Sequence, residues 1–174
     1  LHAGGPEAGR GRSEAGYVVD IQALKDANMN AVRMAHYPPD AQFLDRRDEL
    51  VIYVWQDLPG WHHFYDNTVG PKLVHEMVVR DVNHPSILFW DNGNEGGFNT
   101  NLDDIFGKYD LQQRRVLHPW APFNDMNTAH YLPYDFTKLA CDGWPITFHK
   151  NNYFADTNSP QKFFYMPTEF MHGL

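Results

Sequence analysis

The chain has 174 residues, 43% hydrophobic and 21% charged, which suits about one folded domain of roughly 150 residues and excludes a disordered chain. Fourteen basic against 22 acidic side chains give a net charge of −8, which argues against a surface that tracks nucleic-acid phosphates. One cysteine, Cys141, excludes an intrachain disulfide framework and a multi-cysteine zinc site, and no apolar run approaches the ~20 residues that cross a bilayer.

The chain opens on Leu1-His2-Ala3, without an initiator Met or signal architecture, and reads as excised from a longer protein. Gly4, Gly5, Gly9, Gly11 and Pro6 predict a loop. Ser13 then begins a helix with Val18, Ile21, Ala23 and Leu24 as its apolar positions, ending near Asn28-Met29-Asn30. Residues 30–37, closed by Pro38-Pro39, predict a buried strand. Asp40 caps a second helix carrying Phe43, Leu44 and Leu50, and Val51–Trp55 reads as the next strand. Pro71 opens a helix with Leu73, Val74, Met77 and Val78 at amphipathic spacing, and Asn83-His84-Pro85 stops it. Ser86–Trp90 is again an apolar strand, and Asn101 caps a helix through about Leu117. Ala140–Trp144 and Phe163–Met166 predict two more strands between aromatic loops; Cys141, inside the first, reads as a small buried residue. Strands alternating with helices predict an α/β fold with a parallel sheet and right-handed crossovers. The expected form is an incomplete (β/α)8 barrel of the TIM type, since a whole one takes ~250 residues. A doubly wound open sheet is the alternative.

Polar residues collect where the strands stop. Arg33 and His36 follow the first; Asp57, Trp61, His62 and His63 follow the second. Asn92, Asn94 and Glu95 follow the third, and Glu169 with His172 follows the last. The C-terminal strand ends of a β/α barrel form its active face. Two carboxylates, Glu95 and Glu169, come directly after apolar strands, and hydrolysis of a glycoside with retention needs two carboxyls ~5–5.5 Å apart. Trp55, Trp61, Trp90 and Trp144 suit stacking on sugar faces, which would account for a 15% aromatic content.

Four stretches carry a family resemblance: Asn30-Ala-Val-Arg33-Met-Ala-His36-Tyr37-Pro38, Phe43-Leu-Asp-Arg-Arg-Asp48-Glu49-Leu-Val-Ile-Tyr-Val54, Arg80-Asp-Val-Asn-His84-Pro85-Ser86-Ile87 and Trp90-Asp-Asn-Gly-Asn94-Glu95. In this order they resemble glycoside hydrolase family 2, which includes β-galactosidases, β-glucuronidases and β-mannosidases. The resemblance implies one partial catalytic barrel over residues 1–174, spanning about strands 2 to 7, with flanking β-sandwich domains belonging to the parent chain. It implies Glu95 as acid/base after its asparagine Asn94, and Glu169 as nucleophile. There Pro167-Thr168-Glu169-Phe170 replaces the more usual Glu-Tyr-Gly. Arg33 matches the arginine beside the nucleophile, His36 a substrate-contacting histidine, and Tyr131 the tyrosine that reaches the nucleophile. Asp57, Trp61 and His63 complete the expected substrate side. Arg47 stands where many members have Cys, and Val51 where many have Gly.

Some β-galactosidases hold Mg²⁺ in this region through carboxylate and His residues together with the acid/base. His63 matches, but Trp61 takes the other carboxylate position, and a hard cation prefers oxygen ligands. No metal and no cofactor is therefore expected. The resulting expectation is a retaining exo-β-glycosidase acting on terminal β-linked sugars, galactosides first, because no basic cluster beyond Arg33 is present to hold a glucuronate. A β-glucuronidase or β-mannosidase, a non-catalytic carbohydrate-binding barrel remnant, and a metal-dependent hydrolase on His36, His62 and His63 are the alternatives. The expected partners are an oligosaccharide or glycoside and the missing domains of the parent chain, with a homo-oligomer as a further possibility. No nucleic acid or membrane is expected.

Overall fold

The computed structural model describes residues 13–170; the predicted glycine-rich loop before Ser13 and His172 lie outside them. Ser13 accepts from the Gly16 amide (3.3 Å) and starts α1 (Glu14–Asp26). The helix closes as the sequence predicts. Asn28 takes a left-handed φ of 57°, and the amides of Asn28 and Met29 bond back to Lys25 and Leu24 (both 2.9 Å), a Schellman closure with Asn in the glycine position. β1 (Ala31–Arg33) is shorter than the predicted run, because the chain turns at once, with Tyr37 N–H bonding to Met34 O (3.1 Å).

Asp40 caps α2 (Ala41–Leu50) by accepting from Gln42 N–H (2.8 Å). β2 covers Tyr53–Trp61, so it begins later and runs further than the predicted Val51–Trp55. The reason is Val51, which closes α2 in the left-handed conformation (φ 56°) while 65% exposed. A β-branched residue resists that conformation, which costs ordinary L-residues about 1–2 kcal/mol. Val51→Gly in the full-length protein is expected to stabilise this turn by about 1 kcal/mol, part of the relief being offset by glycine's added unfolded-state freedom. Hydrogen exchange at the Ile52 amide, which bonds to Arg47 O (3.2 Å), should then slow by about fivefold. Faster exchange would reject the strain assignment. The second unusual position, Arg47, is buried with all three guanidinium nitrogens lacking hydrogen-bond partners, its head 4.2 Å from the Phe43 ring centroid. Burial pushes its pKa down to about 10.

α3 (Gly70–Asp81) follows as predicted, with Pro71 in the first helical turn, and β3 (Ile87–Asn94) runs past the predicted Ser86–Trp90 to include Asn92 and Asn94. After a 3-10 turn at Thr100–Leu102, α4 covers only Asp103–Tyr109, and Val116–Leu117 is a strand, β4, not the end of a helix. Asp110 is the breaker. Its carboxylate accepts the amides of Gln112 (3.0 Å) and Arg114 (3.1 Å) and the Trp90 indole (2.9 Å), offering the backbone a turn in place of helix bonds. β5 (Pro122–Phe123) and β6 (Met126–Asn127) come next. The predicted strand at 140–144 is instead the end of α5 (Tyr134–Cys141), closed by Gly143 at φ +85° with Trp144 N–H bonding to Leu139 O (3.0 Å). Cys141 is exposed on it, contrary to the expectation of a buried thiol. A hairpin of β7 (Ile146–His149) and β8 (Asn152–Ala155) leads to β9 (Phe164–Tyr165), within the predicted strand 163–166.

β1, β2, β3 and β4 form one parallel sheet in that order. β6 pairs parallel with β9 and antiparallel with β5, and no ladder among the described residues joins β4 to β6. Successive parallel strands with α2 and α3 as crossovers make this part of a TIM-type barrel. Its main core lies between sheet and helices, where Ile21, Leu44, Val54, Val74, Val78, Ile87, Trp90 and Phe106 lose essentially all exposure. None of the described helices is long and apolar enough to cross a membrane.

Candidate active site

The parallel strands deliver their following residues to one end, and there the candidate side chains converge. Arg33 ends β1 and organises the group. Its Nε donates to Asp91 (2.5 Å), Nη1 to Glu169 Oε1 (2.8 Å), and Nη2 to both Asp57 (2.8 Å) and Asn94 Oδ1 (3.0 Å). One guanidinium thus serves carboxylates from β2, from β3 and from beyond β9. Asp57 and Asp91 are wholly buried, and burial pushes their pKa values up to about 8 and about 7 even though Arg33 pulls both down. Asp57 therefore does not face a substrate, as the sequence suggests it would. It anchors Arg33 and meets His36 Nδ1 at 3.2 Å.

Glu169 is half-buried. Burial disfavours its charge, but the Tyr131 hydrogen bond, with the neighbouring rings and the Arg33 guanidinium, outweighs this and holds its pKa below the usual value. Tyr131 donates its hydroxyl to Glu169 Oε2, and burial followed by that carboxylate raises the phenol pKa, so Tyr131 stays a donor. His36 Nε2 lies 3.5 Å from Glu169 Oε1. Asn94 is buried, and with its oxygen bonded to Arg33 its Nδ2 is left without a hydrogen-bond partner.

Glu95 follows β3 in a left-handed conformation (φ 44°). Gly97 lets the chain fold back there: a Cβ on Gly93, whose φ is +80°, would stand 2.0 Å from Gly97 O, and one on Gly60 would stand 2.7 Å from it. Glycine at these positions brings the Glu95 loop against the end of β2. Trp61 Nε1 donates to Glu95 Oε2 (2.6 Å), and His130 Nδ1 lies 3.3 Å from Oε1. Of the adjacent histidines, His62 meets Glu95, with Nδ1 3.1 Å from its carbonyl and Nε2 3.6 Å from Oε2. His63, expected on the substrate side, is an exposed residue bridged to Trp61 through the backbone.

The two glutamates meet across His130: one ligand atom each of Glu95, His130 and Glu169 lies within 4.8 Å of the others. Such a trio can receive a small cation, and each member also has a polar partner within the protein. A cavity of about 280 Å³ opens beside Glu169, lined by Arg33, Ala35, His36, Tyr131, Thr168 and Phe170. Of the four tryptophans expected to stack on sugars, Trp61 alone is placed beside the carboxylates, and it is 59% exposed. Trp90 is buried against Asp110, Lys162 sits 2.9 Å from the Trp144 ring centroid, and Trp55 lines a separate groove with Leu24 and Met29. Asp91 and His130 are additions. Asp91 had a signal, as a charge directly after an apolar strand run, whereas the position of His130 depends on β6 and β9 lying side by side.

A family profile described as glycosyl hydrolases family 2, TIM barrel domain, matches residues 2–73 and 59–118. The chain is 33% identical over 138 residues to a β-galactosidase of Lactococcus lactis subsp. lactis (strain IL1403), covering 72% of this chain and 13% of that protein. It is 38% identical over 89 residues to a β-galactosidase of Thermoanaerobacter pseudethanolicus, covering 49% and 11%. Among solved structures, a β-glucuronidase from Ruminococcus gnavus in complex with C6-substituted uronic isofagomine superposes with a TM-score of 0.60 at 25% identity, over 69% of this chain and 23% of that one. The chain thus spans 11 to 13% of the length of these two curated relatives.

Proposed function

We propose, for a chain that belongs to glycosyl hydrolase family 2 and carries part of its TIM barrel domain, that it supplies the catalytic carboxylates of a retaining exo-β-glycosidase. The observation that carries this reading is the approach of Glu95 and Glu169, with ligand oxygens within 4.8 Å of one another. That suits the ~5–5.5 Å carboxyl spacing of retaining enzymes and leaves no room for the water that inverting enzymes hold between carboxyls ~6.5–9.5 Å apart. Glu169, kept ionised beside Arg33 and Tyr131, attacks the anomeric carbon. Glu95 gives its proton to the departing oxygen, then as base activates the water that frees the sugar. Asn94, whose buried Oδ1 accepts from Arg33, helps hold that guanidinium beside Glu169, and exposed Trp61 offers an apolar face.

The substrate we favour is a terminal β-galactoside. The curated relatives named above are β-galactosidases, and Arg33, the cation at the centre of the site, is already engaged by three carboxylates, which leaves it poorly suited to hold a glucuronate. The whole of residues 1–174 then forms one portion of a barrel completed by the parent chain. Following the full-length protein on an aryl β-galactoside by proton NMR should show the β-anomer as the first sugar released. Release of the α-anomer first would reject the double displacement, and faster turnover of the aryl β-glucuronide would reject the substrate.

A further inference from the structure

His130 is a buried titratable group that this mechanism does not use. It follows β6 and has no exposed surface. Its ring stacks on Trp120, with centroids 5.6 Å apart and planes 6° from parallel, and the Tyr153 hydroxyl donates to its carbonyl (2.8 Å). Ring and backbone are therefore both held. Nε2 lies 2.7 Å from Thr168 Oγ, which in turn lies 3.1 Å from the Thr128 carbonyl. A carbonyl can only accept, so the single Thr168 hydroxyl proton goes to Thr128, and Nε2–H must donate to the threonine oxygen.

That assignment leaves Nδ1 facing two carboxylates, 3.3 Å from Glu95 Oε1 and 3.8 Å from Glu169 Oε2. A bare ring nitrogen against an ionised carboxylate sets lone pair against lone pair, whereas one proton between them makes a hydrogen bond. Glu169 has less need of it, since Arg33 and Tyr131 already donate to its two oxygens. We propose that Glu95 and His130 together hold one proton between Oε1 and Nδ1, making His130 a positioning residue that keeps the acid loaded. The inference rests on the reading of Glu95 as the proton donor. When the glycosidic C–O bond breaks, that proton moves to the leaving oxygen. The lone-pair contact then left between carboxylate and ring favours its replacement from the attacking water in the second step.

The charged and titratable groups around the pair are consistent with a neutral ring. Glu95 comes from the end of β3, Glu169 from beyond β9, Arg33 from β1, Tyr131 from the next position and Tyr153 from β8. His62 lies on the far side of Glu95, its Nε2 3.6 Å from Oε2. Burial, helped by Arg33, holds the pKa of His130 down at about 4 against the opposing pull of the two glutamates.

His130→Gln in the full-length protein removes Nδ1 while keeping an amide able to reach Thr168. The alkaline limb of its kcat/KM profile should move down by about one pH unit, because that limb reports the pair. An aryl β-galactoside with a poor leaving group should lose about tenfold more than an activated one. An unmoved limb with equal losses on both substrates would reduce His130 to a packing residue. Turnover of no β-glycoside by the wild type would reject the glycosidase reading, and the shared proton is then judged separately by infrared spectroscopy. A protonated-carboxyl stretch at neutral pH that vanishes in Glu95→Gln supports it. No such difference overturns it, and this measurement does not need His130→Gln to fold.

Discussion

Glu169→Gln in the full-length protein is expected to lower turnover of an aryl β-galactoside by at least a thousandfold, about 4 kcal/mol of barrier. The amide keeps the volume, its oxygen can still accept from Arg33 and its NH2 can donate to the Tyr131 hydroxyl oxygen, so the substitution removes nucleophilicity more than structure. Glu169→Ala opens the space that the carboxylate fills. Added azide should then attack the anomeric carbon from that side and yield a glycosyl azide of inverted configuration, because one displacement replaces two. Turnover within tenfold of wild type, or an azide product of retained configuration, would show that Glu169 is not the nucleophile.

Glu95→Ala should fail in a different way. Activated aryl groups leave without protonation, so formation of the covalent intermediate should be little slowed for them, while poor leaving groups should lose about 10²–10⁴-fold. The intermediate would then accumulate for want of a base, and azide, which needs none, should rescue its breakdown to a glycosyl azide of retained configuration. Rapid-quench measurement of the first turnover separates the two steps. Equal losses on good and poor leaving groups would remove Glu95 from the acid/base role. Together the two substitutions test roles as well as importance, since a merely structural carboxylate has no reason to distinguish leaving groups or the configuration of an azide product.

Local chemistry and periodicity made much of the first half of the chain legible. Ser13 and Asp40 cap their helices, Asn28 closes one, Pro71 opens another, and the apolar run at 87–90 lies in β3. Each depends on contacts within a few residues, which a sequence displays directly. The motifs carrying Arg33, Asn94 and Glu95, through their resemblance to glycoside hydrolase family 2, also imply a barrel face. Beyond residue 100 the local signals misled. Asp110 broke a predicted helix by bonding its own following amides and the distant Trp90 indole, and Gly143 closed a helix where a strand was expected. What the tertiary structure alone decided is which polar groups meet. Asp57 and Trp61 lie four residues apart on one strand, yet the first is wholly buried beneath Arg33 while the second is exposed beside Glu95. His62 meets Glu95, and His130 joins two glutamates distant in sequence. Pairing of parallel strands brings together residues far apart along the chain, so the contacts among the site residues, and the place of His130 between the glutamates, follow only from the formed sheet.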